Sequence, residues 1–143
     1  MNILNTATAK YLLDQGLESL HEQSMEWISD IAFWRDEVSF LYALEVEKTL
    51  KEVPVSAKRK IGLVEEELLK MAGDDLDDLY TQVTTHERFL NHLLGSSKED
   101  EETYREKHLL LAEKIDTFNV RLRLLKKEIF EIVKQNKQAR PIK

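Results

Sequence analysis

LDQGLESLHEQSMEWISDIAFWRDEVSFL, Leu13 to Leu41, is the stretch whose reading decides the fold. Leu13, Leu17, Leu20, Ser24, Trp27, Ile31, Trp34, Val38 and Leu41 step through it by fours and threes, and Ser24 alone is polar. That 3.5-residue spacing marks a helix with one seam packed along its length. The seam weakens after Leu44, and Val53-Pro54-Val55-Ser56 ends the helix, since proline cannot continue it and restricts the residue before it.

Further along, Ile61, Val64, Leu68 and Met71 keep one heptad frame, whereas Leu76, Leu79, Val83, His86, Leu90 and Leu93 keep another, displaced by one residue. One extra residue must therefore be absorbed between Met71 and Leu76, in the run MAGDDLDDLY (Met71 to Tyr80), so a π-bulge or kink is expected there. Glycine and aspartate suit such a break, with Gly73 ending one helix and Asp74, Asp75, Asp77 and Asp78 on a water-facing arc. The same run fails as an EF-hand. With Gly73 as the sixth loop position, Leu68, Lys70 and Ala72 fall where oxygen ligands are required, and Leu79 falls at the twelfth.

Gly95-Ser96-Ser97-Lys98-Glu99 reads as a glycine stop followed by a capping box of Ser96 and Glu99. Tyr104, His108, Leu111, Ile115, Phe118, Leu122, Leu125, Ile129 and Ile132 then repeat the four-three step. The expected fold is all-α: one domain over residues 1–143, an antiparallel up-down-up bundle with helices near 8–52, 56–94 and 97–137 and a basic tail at 138–143. Residues 1–23 either extend the first helix, which the unbroken heptad favours, or fold back as a fourth helix, which Gly16 and His21-Glu22-Gln23-Ser24 favour.

Composition removes several classes of function. Without cysteine there is no disulfide framework, thiolate metal site or cysteine nucleophile. No run approaches the ~20 apolar residues of a membrane span and the N-terminus has no leader pattern, so a cytoplasmic protein is expected. No phosphate loop or nucleophile elbow is present, so no catalytic residue is assigned and no cofactor is implied. In outline the pattern resembles spectrin-type repeats and ferritin- or hemerythrin-type bundles, a likeness of fold only. At His86, His92 and His108 the Glu-x-x-His pattern of di-metal bundles is missing, since Val83, Phe89 and Arg105 precede them by three.

Three sets of residues stand out. His86 and His108 hold seam positions, and folding the chain at Pro54 and Gly95 brings His21 near their level, beside Glu87. This makes either a polar layer that fixes register or a metal site of His21, His86 and His108. Phe33, Phe40 and Leu44 lie off the first seam and Val120 and Leu124 off the third, an apolar patch expected to form an interface with a second copy, giving a homodimer, or with another protein. The alternative is that residues 3–20 cover the patch. Finally, the net charge of −6 conceals a basic pole. Lys58, Arg59, Lys60, Lys126, Lys127 and Lys134 are candidate anion-binding residues, although few aromatic side chains accompany them and nucleic acid is disfavoured. The expected function is a non-enzymatic helical structural or protein-interaction module that self-associates.

Overall fold

The structure is a computed structural model and describes residues 16–46, 55–93 and 98–139. It is an all-α bundle of three long helices. The first comprises α1 (Leu17–Phe40), which passes into a π-helical segment at Leu41–Val46. The second comprises α2 (Val55–Lys70), a π-helical turn at Met71–Asp75, and α3 (Leu76–Asn91). The third is α4 (Lys98–Ala139), forty-two residues without interruption. No strand occurs among the described residues, and no helix there is long and apolar enough to cross a membrane. The segments 1–15 and 47–54, and the Gly95–Ser96 cap, lie outside the described residues. So does the choice between an extended and a folded-back N-terminus.

The chain divides into two compact units, Met1–Ala32 with Asp77–Asn119, and Phe33–Leu76 with Val120–Lys143. In the first unit Leu20, Ser24, Trp27 and Ile31 are buried with Leu79, Val83 and His86 and with Tyr104, His108, Leu111, Ala112, Ile115 and Phe118. In the second, Trp34 and Val38 are buried with Ile61, Val64, Leu68, Met71 and Leu76 and with Leu122, Leu125, Ile129 and Ile132. Apart from Ala112, every one of these is a heptad position read from the sequence; the seam fails only toward helix ends, where Leu17, Leu41, Leu90 and Leu93 are half-buried. Burying this apolar surface is the main stabilising term of such a fold, at about 25 cal/mol per Å².

The frame change in the second helix is accommodated as expected, by a π-turn. The Leu76 N–H donates to the Met71 carbonyl, five residues back instead of four. Both side chains are fully buried, so the extra residue returns the second frame to the core. Two details differ from the sequence reading. Gly73 does not end a helix, because the helical path runs on through it and its backbone is not left-handed. Asp75 does not face water freely. It is half-buried and accepts a hydrogen bond from Arg121 Nη2 (3.1 Å), which also pairs with Glu67. The π-segment at Leu41–Val46 is marked in the sequence only by the weakening of the seam after Leu44.

Candidate functional site: a histidine layer and the groove beside it

In the first unit α1, α3 and α4 each place a polar side chain at a seam position: Ser24, His86 and His108, exposed by 0%, 4% and 1%. Burying polar groups is unfavourable unless they find partners. The two imidazoles find each other. His86 Nε2 lies 2.9 Å from His108 Nδ1, and His108 Nε2 lies 2.6 Å from Gln23 Oε1. With Gln23 Oε1 accepting, His108 must carry its proton on Nε2, so its Nδ1 accepts from His86 Nε2–H. A neutral chain runs His86 to His108 to Gln23, and both rings hold one proton each.

Aromatic faces enclose this chain. Trp27 stacks on His108 at 4.5 Å between centroids, and Tyr104 stacks on His86 at 4.1 Å, within 3° of parallel. Phe89 continues the stack beyond Tyr104. These rings replace water around the imidazoles, so the charged forms lose solvation. Burial, reinforced by the Lys107 charge, lowers the pKa of His86 to about 4; burial, with His86 and Arg105 adding to it, lowers that of His108 to about 3. Burial likewise raises the Tyr104 phenol, with the Glu87 carboxylate contributing.

The layer is not fully satisfied. His86 Nδ1, Tyr104 Oη and Glu87 Oε1 are buried without a hydrogen-bond partner. Ser24 Oγ faces the Tyr104 hydroxyl; its own proton goes to the Leu20 carbonyl (3.2 Å), which leaves its lone pairs toward the phenol. His21, the third histidine read from the sequence, is not in the layer. Its side chain is 46% exposed and pairs through Nδ1 with Glu87 Oε2, the neighbour expected from folding the chain at Pro54. Two of the three candidate metal ligands thus meet and the third does not join them. Among the described residues no group of three His, Cys, Asp or Glu side chains is arranged to hold a metal ion.

Sequence reading missed the groove next to the layer. About 340 Å³ in volume, it lies between α3 and α4, with His86, Thr85 and Phe89 on one side and Leu110 and Leu111 on the other. Lys107 and Lys114 line it as well, the former with Nζ 5.0 Å from the Phe89 ring centre, the latter donating to Gln82 Oε1 (2.7 Å). Leu110, a position off the seam and 58% exposed, was the available signal.

The other two residue sets lie in the second unit. Phe33 and Phe40 are 63% and 54% exposed, one heptad apart and about 100–120° around α1 from Trp34. Leu124 is exposed and Val120 half-buried; both project about 160° from Leu122, on the back of α4. Of Leu44 only the backbone is described. In the basic set, Lys58, Arg59 and Lys60 are exposed in the first turns of α2, and Lys127 and Lys134 are exposed on α4. Lys126 is half-buried and engaged, its ammonium donating to both carboxylate oxygens of Glu37 (3.1 and 3.2 Å).

No protein-family model matches the chain, and no curated protein or solved structure is significantly similar to it.

Proposed function

We propose that this chain is a non-enzymatic helical-bundle interaction module that self-associates through its off-seam apolar residues. The observation that carries the reading is the exposure of Phe33 and Phe40 one heptad apart, while Trp34 and Val38 beside them are buried. Two exposed phenylalanines on one helix face fit an isologous contact, in which Phe33 of each copy meets Phe40 of the other. Leu44, Val120 and Leu124, the other off-seam apolar residues, complete the proposed interface set. Each phenylalanine removed from water is worth roughly 1.5–3 kcal/mol before the costs of association. The buried histidine layer serves this reading as a register device: one polar level at which α1, α3 and α4 match only in a single alignment.

The test replaces Phe33 and Phe40 together by glutamate and follows mass by sedimentation and helix content by circular dichroism. A dimeric wild type that becomes a folded monomer supports the module. A wild type that is already monomeric overturns it.

A further inference from the structure

The groove between α3 and α4 has a composition that neither a structural role nor self-association accounts for. Its walls are apolar where Phe89, Leu110 and Leu111 meet, and Leu110 is 58% exposed. Its volume of about 340 Å³ lies within the roughly 300–1,000 Å³ usual for small-molecule sites. Two ammonium groups flank it, Lys107 and Lys114, seven positions apart on α4 and so about 10 Å apart along the helix axis. Neither has a carboxylate partner among the described residues: Lys107 stands over the Phe89 ring and Lys114 donates to a neutral amide. Exposed lysines elsewhere are solvated, but these two border an apolar surface that water covers poorly.

The inner wall is His86, 4% exposed, with Nδ1 lacking any partner in the protein. The chain from His86 through His108 to Gln23 is neutral and reversible. With the Gln23 amide turned over, Gln23 Nε2 donates to His108 Nε2, His108 Nδ1–H donates to His86 Nε2, and His86 Nδ1 carries the proton. In that order His86 becomes a donor at no cost in net charge.

From these features we infer that the groove binds an amphipathic organic carboxylate, its unbranched apolar chain lying along Phe89, Leu110 and Leu111 and its carboxylate held at the Lys107 end beside His86. Charge complementarity selects an anion, and the apolar walls select a chain over a small hydrophilic acid. The size of the groove selects a small molecule over a peptide helix, which would need a longer trough than the segment from Gln82 to Phe89 offers.

Decanoate is the probe. Titrated into the full chain and followed by amide and imidazole NMR, it is expected to saturate at millimolar concentration or below and to move the signals of Thr85, Phe89, Leu110 and Leu111. It should also move the His86 nitrogens toward the Nδ1-protonated form. Lys107→Gln should weaken it about tenfold, the scale of one charge-assisted hydrogen bond, and decanol should bind about tenfold more weakly than decanoate. Lys107 is exposed, so the variant keeps its fold, and unchanged thermal melting verifies that. Decanol binding as tightly as decanoate, indifference to Lys107→Gln, or shifts confined to Phe33 and Phe40 would each overturn the assignment. The last of these would place the chain on the self-association surface instead.

Discussion

His86 and His108 meet ring to ring in the core of the first unit, Nε2 to Nδ1 at 2.9 Å, and a second proton on either ring would be a charge buried among aromatic faces. The hydrogen bond itself tolerates that proton, because the unpartnered His86 Nδ1 can hold one; what opposes it is the lost solvation of the charged ring. The pair is therefore held neutral by burial and by the neighbouring cations Lys107 and Arg105, and the stability of the fold depends on pH accordingly.

The sign follows from the lowered pKa values, about 4 for His86 and about 3 for His108, against 6.5 unfolded. Between those limits the unfolded chain binds more protons than the folded one, so stability rises with pH there. It is fully present above about pH 6.5 and is lost as the pH falls below that, by up to about 1.4 kcal/mol per pH unit for each histidine. Urea denaturation at pH 7 and pH 5 should show the loss. In a His86→Leu/His108→Leu variant the difference between those two pH values should shrink; a difference that stays the same would assign it to other groups.

Asp75 and Asp74 are neighbours in one π-turn with different surroundings. Asp75 pairs with Arg121, whereas Asp74 is exposed. Because the Arg121 and Glu67 side chains are each 37% exposed, solvent screens this triad, and Asp75→Asn should cost no more than about 0.5–1 kcal/mol. Asp74→Asn should stay below about 0.5 kcal/mol. Equal effects in chemical denaturation would mean that the Arg121 contact adds nothing.

Gly73 sits in the same turn with helical backbone and open space where a Cβ would stand. Alanine there should relieve the entropic penalty of glycine and stabilise the protein by about 0.5–1 kcal/mol. A loss of stability in Gly73→Ala would show that the turn needs the freedom of glycine after all.

The histidine layer also makes a statement about metals. With His21 paired to Glu87 and His86 joined to His108, elemental analysis of the purified protein should find no stoichiometric zinc or iron, and chelator should leave the melting temperature unchanged. A one-to-one metal content abolished by His86→Ala would restore the three-histidine site.

Heptad order carried most of the architecture. From Leu20 to Val38, from Ile61 to His86 and from Tyr104 to Ile132, the heptad spacing named the buried positions, because a helix has one period and a bundle one interior. The five-residue step from Met71 to Leu76 even located the π-turn, since only an extra residue reconciles the two frames. Local pattern also brought His21 to Glu87 and set His86 and His108 at one level, through arithmetic on helices of fixed rise.

Tertiary structure decided which neighbours those residues took. Periodicity gives level and face, yet whether an imidazole meets another imidazole or a carboxylate depends on side-chain direction and on the gap between helices. His86 therefore found His108 while His21 found Glu87. Asp75 was read as solvated from its place on the arc away from the seam; Arg121, forty-six residues away in sequence, supplies a partner there. The groove of Phe89, Leu110, Lys107 and Lys114 was invisible for the same reason. It belongs to neither helix alone and exists only where two surfaces fail to close against each other.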